Sequence, residues 1–182
     1  MAQDPAHYGE KQSPTRWGWS DALRSWNYRG YEGNPIVVEA YSDADEVELL
    51  VNGRSVGKQK TERCKALFDT VYEPGELTAI NHRHGKRAEQ DRLLTASDEV
   101  HLEQTDLGGG IIELSVKDKD GILNPEAVLT ITAETKGERS ILGFGSADPK
   151  SEENYFDKTI QTWHGRALIV TRGDGELKIE VQ

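Results

Sequence analysis

The chain has 182 residues, with 22 basic and 32 acidic side chains and a formal net charge of −10. An acidic surface repels phosphate backbones and no cluster of Lys and Arg offsets the charge locally, so we exclude nucleic acid as a partner. No window approaches the roughly 18 consecutive apolar residues that span a bilayer, so we also predict that the chain has no membrane partner.

The charge is unevenly distributed along the chain. Residues 1–95 carry 13 basic and 15 acidic side chains, whereas residues 96–182 carry 9 and 17. A chain of this length can hold two small domains. We therefore predict an aromatic-rich linker or docking segment over 1–33, a first domain over 34–96 and a second domain over 97–182.

The first 33 residues are rich in aromatic side chains. They contain six of the chain's thirteen aromatic residues, among them Trp17, Trp19, Trp26, Tyr28 and Tyr31. This density is too high for a disordered tail. We expect the rings to pack against the following domain or against a neighbour that is not part of this chain.

Short strands separated by turn residues follow from Ile36. Asn52-Gly53 is a strong hairpin signal, because both residues accept a positive φ, and Pro74-Gly75 predicts a second turn. The predicted strands of this half are Ile36–Tyr41, Val47–Val51, Arg54–Lys58, Leu67–Tyr72, Leu77–Asn81 and Arg87–Thr95.

The second half repeats this pattern. Asp120-Gly121 predicts a hairpin turn, and so does Gly173-Asp174-Gly175, which favours a turn over the adhesion tripeptide spelled by Arg172-Gly173-Asp174. No amphipathic helical stretch is present. Short strands at this spacing indicate an all-β chain of two consecutive immunoglobulin-like β-sandwiches. The predicted strands are Val100–Gln104, Ile111–Lys117, Val128–Ala133, Ile141–Phe144, Ala167–Arg172 and Leu177–Val181.

Chemistry-bearing residues form no convincing catalytic or metal site. His82-Arg83-His84 is better explained as a solvated turn than as a metal clip, because Arg83 repels a cation. We expect the single cysteine, Cys64, to be a small buried residue. The carboxylates lie in turns or on exposed strand faces, where nothing raises a pKa as a glycosidase acid requires. We predict no catalytic residue, no metal and no cofactor.

Tryptophan residues are the candidates for ligand contact. Indole faces stack on the apolar CH face of sugars. The alternative is that these rings pack in the sandwich cores or at a domain junction. The candidate carbohydrate contacts are Trp17, Trp19, Trp26 and Trp163.

Several motifs resemble the region that follows the catalytic barrel in bacterial family-2 glycoside hydrolases of β-galactosidase type. The second half resembles the last, bacterial immunoglobulin-like module of those enzymes, and the resemblance covers about residues 20–182. The motifs of the first half are Ser25–Tyr28, Pro35–Tyr41, Ala44–Gly57 and Tyr72–Leu77, and those of the second are Val116–Gly121 with Pro125, Leu142–Pro149 and Trp163–Val170.

The resemblance implies an accessory role. The catalytic glutamates of the family lie on a (β/α)₈ barrel of about 200 or more residues, which does not fit in this chain. The expected function is a non-catalytic accessory region that braces the missing barrel and contributes to subunit contacts in a homo-oligomeric parent. The expected partners are the catalytic barrel and the other domains of the parent enzyme, with a weak carbohydrate contact. The alternative is an autonomous carbohydrate-binding module that uses exposed Trp residues.

Overall fold

β-Strands are the regular elements of this protein. The computed structural model describes residues 1–3 and 22–182, and the chain divides into two compact units, Met1–Thr95 and Ala96–Gln182. The described residues contain no helix, and hence none that could cross a membrane. The prediction of an all-β chain with two immunoglobulin-like sandwiches is confirmed.

The first unit is a sandwich of two antiparallel sheets. One sheet has the strand order β2-β1-β3-β6, and the other has the order β5-β4-β7-β8. The strands are β1 (Ala2–Gln3), β2 (Ala22–Leu23), β3 (Pro35–Tyr41), β4 (Glu46–Val51), β5 (Arg54–Lys60), β6 (Lys65–Val71), β7 (Glu76–Arg83) and β8 (Lys86–Leu94).

Two predicted turns hold one end of this sandwich together. Asn52 and Gly53 join β4 to β5 with φ values of +50° and +76°, so the predicted hairpin is confirmed. The Asn52 side chain also binds the second turn, since its Nδ2 donates to the carbonyl oxygen of Pro74 and its Oδ1 accepts from the amide of Glu76. Gly75 is required there, because a Cβ would lie 2.1 Å from Asn52 Oδ1.

The core of the first unit follows from strand alternation. On β4, Val47, Leu49 and Val51 point inward and are almost completely buried, while the alternate residues Glu46 and Glu48 are half-buried on the other face. Burying each such aliphatic side chain contributes about 1.5–3 kcal/mol. These residues join a cluster that includes Ile36, Val38, Phe68, Leu77 and the rings of Trp26, Tyr28 and Tyr72.

The second unit is a sandwich of seven strands. A four-stranded sheet has the order β12-β14-β10-β9, and a three-stranded sheet has the order β13-β11-β15. The strands are β9 (Val100–Gly108), β10 (Ile111–Asp118), β11 (Thr130–Gly137), β12 (Ser140–Gly145), β13 (Thr159–Gln161), β14 (Arg166–Arg172) and β15 (Gly175–Val181). The core cluster of this unit is Ile112, Leu114, Ile131, Ala133, Phe144, Ile160, Ala167 and Ile169.

Three local expectations are wrong. Cys64 is exposed rather than buried, because it lies in the turn between β5 and β6. His82 is a buried residue of β7 rather than part of a solvated turn. Gly173-Asp174-Gly175 does not close a hairpin, since β14 and β15 belong to different sheets.

Candidate functional site

Trp26, Tyr28 and Tyr72 form an aromatic cluster inside the first sandwich. The centroid of the Trp26 ring lies 5.0 Å from that of Tyr72 and 6.5 Å from that of Tyr28, both in edge-to-face orientation. Trp26 is completely buried, and its indole N–H donates a 2.9 Å hydrogen bond to the carbonyl oxygen of Glu73. This part of the aromatic-rich segment therefore packs on the sandwich that follows it.

Polar contacts fasten the same segment to the end of β8. The Thr95 hydroxyl donates a 2.6 Å hydrogen bond to the carbonyl oxygen of Trp26 and accepts a 3.0 Å hydrogen bond from the amide of Gly75. The Tyr28 amide donates to the Tyr72 hydroxyl at 3.2 Å. Since both backbone and side-chain groups take part, the position of Trp26 is set by more than ring packing.

The four candidate tryptophans occupy different environments. Trp26 has no exposed surface, and stacking on a sugar needs an open ring face, so its burial removes Trp26 from the candidate carbohydrate contacts. Trp17 and Trp19 lie outside the described residues. Trp163 is 38% exposed, which leaves part of its indole open to a ligand.

Trp163 lies in the turn that leads into β14. Its amide donates to the carbonyl oxygen of Arg166, and the Arg166 amide donates back to the carbonyl oxygen of Trp163, each at 3.0 Å. The ring centroids of Trp163 and His164 are 4.1 Å apart. The turn therefore holds an indole and an imidazole side by side at one end of the second sandwich.

An ionic network covers the outward face of β4, β5 and β7. His82 Nε2 lies 3.2 Å from Glu48 Oε2, and His82 Nδ1 lies 3.2 Å from Lys58 Nζ. This arrangement suits a neutral imidazole that donates from Nε2 and accepts at Nδ1. Ser55 donates to Glu48 at 2.8 Å, and this hydrogen bond is the main cause that lowers the pKa of Glu48.

Hydrogen bonds and neighbouring charges lower the pKa of several carboxyl groups. The two hydrogen bonds from Arg24, at 2.7 and 3.0 Å, hold the pKa of Asp91 below its usual value. Among the described residues, every carboxyl group whose pKa clearly departs from the usual value has it lowered: Asp43, Glu48, Glu89, Asp91, Asp118 and Glu180. A glycosidase acid needs the opposite shift.

Asp118 organises the start of the second unit. Its carboxylate accepts hydrogen bonds from the amides of Ser97, Asp120 and Ile122 at 2.8, 2.9 and 2.9 Å. Burial alone would raise the pKa of Asp118, but these three donors lower it. The Gly121 amide donates to the carbonyl oxygen of Asp118, so the predicted turn at Asp120-Gly121 is confirmed. In the part of the chain that the structure describes, no three His, Cys, Asp and Glu side chains are placed to share a metal ion.

Tyr155 and Phe156 are two exposed aromatic residues that the sequence analysis did not select. They are 64% and 79% exposed in the connection between β12 and β13. The sequence contains a signal for them, since two adjacent aromatic residues lie in a largely polar segment from Asp148 to Lys158.

Two family descriptions match the chain. Residues 33–89 match a domain of unknown function, DUF4982, and residues 92–182 match "Glycoside hydrolase family 2 C-terminal domain 5". The second match covers half of the chain, and the two together leave little of the described sequence unmatched.

Individual relatives agree with these matches. The chain is 28% identical over 149 residues to a β-galactosidase of Bacteroides ovatus, which covers 75% of this chain and 17% of that protein. A solved glycosyl hydrolase family 2 member from Bacteroides cellulosilyticus matches with a TM-score of 0.86 and 26% identity, over 100% of this chain and 26% of that one. A second, from Bacteroides cellulosilyticus DSM 14838, has a TM-score of 0.81 and 28% identity over 90% and 25%. The chain therefore spans about a quarter or less of the length of these relatives.

Proposed function

The chain belongs to glycoside hydrolase family 2 as part of the C-terminal region of such an enzyme, and we propose that it is a non-catalytic accessory region of a β-galactosidase-like parent. The observation that carries this proposal is the match of the second unit to a C-terminal domain of that family. The lowered pKa values support it, because a carboxyl group that stays ionised is a poor general acid.

The proposed contribution to the parent is positional. Two sandwiches with close-packed cores are rigid bodies, and loops at the end of a sandwich are a common contact surface. We propose that they brace the catalytic barrel and contribute to contacts between subunits of the parent. The buried Trp26 and its hydrogen bonds to Glu73 and Thr95 support a bracing role, because they fix the aromatic-rich segment on the first sandwich.

The absence of catalysis is tested on the purified chain. We expect hydrolysis of a chromogenic β-galactoside to stay at the rate of a protein-free blank. A preparation of an unrelated β-sandwich purified in the same way controls for a contaminating hydrolase. Turnover above both controls that persists through further purification would contradict the proposal.

The bracing role is tested on the full-length parent enzyme. We expect deletion of both units to lower the melting temperature and the turnover of the parent. The resulting loss of subunit contacts should appear as a smaller particle in sedimentation. A truncated parent with unchanged melting temperature and turnover would refute bracing, whatever the activity of the isolated chain.

An autonomous carbohydrate-binding module is the second candidate. The partly open indole of Trp163 favours it, and Trp17 and Trp19 remain candidate contacts. We expect Trp163→Ala to abolish binding of a galactose-containing oligosaccharide if this function holds, as measured by NMR line broadening of the sugar. Binding that survives this substitution would remove the role of Trp163.

A further inference from the structure

A hydrogen-bonded turn presents Tyr155 and Phe156 at its two central positions. The Asp157 amide donates to the carbonyl oxygen of Asn154 at 2.9 Å, and the Asn154 amide donates to the Asp157 carboxylate at 3.0 Å. The Asn154 side-chain oxygen accepts from the Phe156 amide at 3.0 Å. Three hydrogen bonds within four residues define a single turn conformation.

The turn is also tied to the sandwich on both sides. The amide of Phe144, on β12, donates to the carbonyl oxygen of Tyr155 at 2.8 Å, and the amide of Ala133, on β11, donates to the carbonyl oxygen of Lys158 at 2.9 Å. β12 is an edge strand of its sheet. The backbone of the turn is therefore held by β12 of one sheet, and Lys158, which follows the turn, is held by β11 of the other.

The two rings gain little from their position in the isolated chain. Burial stabilises apolar surface by about 25 cal/mol per Å², yet Tyr155 is 64% and Phe156 is 79% exposed. The Tyr155 ring edge rests over Gly145, where a Cβ would lie 2.6 Å from Cδ1 and Cε1. A rigid turn that holds aromatic rings in water is pre-organised for binding, since little conformational freedom remains to be lost.

A groove of about 500 Å³ is lined in part by Phe156. This volume is within the range of small-ligand sites, roughly 300–1,000 Å³. Besides Phe156, most of its lining residues are polar and include hydrogen-bond donors and acceptors: Glu134, Thr135, Ser140, Asp157 and Lys158. Two acidic groups and one basic group give the lining little net charge, which suits a neutral ligand with many hydroxyl groups.

We propose that the Tyr155–Phe156 turn and the groove that Phe156 lines form a binding site for a neutral oligosaccharide. The apolar CH face of a sugar ring packs on the aromatic side chains, and its hydroxyl groups face the polar lining of the groove. An anionic glycan is disfavoured, because the second unit carries 17 acidic and 9 basic side chains. A protein surface fits less well, because the polar lining would be left without water. The site is independent of the bracing role and does not use Trp163.

The test titrates the ¹⁵N-labelled full chain with β-1,4-galactotetraose and, separately, with cellotetraose, up to about 10 mM, which detects millimolar affinity. For at least one of the two sugars, we expect saturating shifts confined to Ala133–Thr135, Ser140–Ile141 and Asn154–Lys158. Phe156→Ala and Tyr155→Ala should each weaken binding by roughly tenfold or more, in line with the contribution of a stacked aromatic ring.

Two further variants make the test specific. Leu107→Ala is the matched control, because Leu107 is 57% exposed on β9, at the edge opposite to β12 in their common sheet. This variant should bind the sugar as the unaltered chain does. Gly145→Ala keeps both rings but displaces Tyr155, so it should also weaken binding. Each variant is first checked for a folded amide spectrum.

Three results would overturn the proposal. The first is no saturable shift with either sugar, and the second is binding that Trp163→Ala abolishes while Phe156→Ala leaves it intact. The third is self-association in sedimentation that Phe156→Ala abolishes without any sugar binding, which would make the turn a contact between copies. None of these results bears on the bracing role, which the truncation of the parent tests separately.

Discussion

Replacement of Asp118 by alanine should destabilise the second unit and leave the first unchanged. The carboxylate accepts three amide hydrogen bonds, and Asp118 is only 2% exposed. A hydrogen bond to a charged group contributes about 1.5–3 kcal/mol, but Ser97, Asp120 and Ile122 are all partly or fully exposed, so water replaces part of each loss. We expect a loss of about 3 kcal/mol, shared among the three contacts.

The assay is urea unfolding followed by amide resonances, so that each unit reports on itself. Leu114 and Ile131 report on the second core, and Val47 and Leu49 report on the first. The matched control is Asp120→Ala in the same turn, at an exposed position, which should change the free energy of unfolding by less than about 0.5 kcal/mol. Equal effects of the two substitutions, or an Asp118→Ala chain as stable as the unaltered one, would refute this account of the turn.

The Asp118 carboxylate also makes the stability of the second unit depend on pH. Because the pKa of Asp118 is lower in the folded chain than in the unfolded chain, its contribution is fully present above the unfolded pKa of about 4 and is lost as the pH falls through the folded pKa. The stability difference between the unaltered chain and Asp118→Asn should therefore be constant from neutral pH down to about pH 5 and should shrink below pH 4. A difference that grows on acidification would contradict the assigned direction.

The remaining predictions concern the first unit. Trp26→Ala should destabilise it by about 3–5 kcal/mol. Trp26→Phe should cost about 1–2 kcal/mol, because it keeps an aromatic ring but loses the hydrogen bond to Glu73. A cost below about 1 kcal/mol for Trp26→Ala in urea unfolding would contradict the anchoring role. Cys64 should react with a thiol reagent in the folded chain as fast as in urea, because it is exposed in a turn, whereas protection in the folded chain would show that another group covers it.

The sequence predicted the turns and strands that depend only on residues adjacent in the chain. Asn52-Gly53 was identifiable because few residue pairs accept two positive φ values. The start of β4 was identifiable from the alternation of Val47 and Leu49 with glutamate residues. Short strands with such turns then specify a β-sandwich, since each strand has one apolar face to bury.

Long-range partners could not be predicted in the same way. The sequence around Gly173 does not reveal that β15 pairs with β11 rather than with β14. The buried His82 on β7 contacts Glu48 on β4 and Lys58 on β5, which the sequence does not place near it. The burial of Trp26 likewise depends on Tyr72, 46 positions away along the printed sequence. Such facts follow from strand pairing, which a single sequence specifies only indirectly.

The most direct test of the accessory role is the proton NMR spectrum of lactose incubated with the purified chain for several hours. We predict unchanged anomeric signals, with or without line broadening, because every carboxyl group of the described residues whose pKa clearly departs from the usual value has it lowered, which disfavours a general acid. New anomeric signals of free galactose and glucose, at a rate proportional to protein concentration and absent from the control preparation, would contradict it.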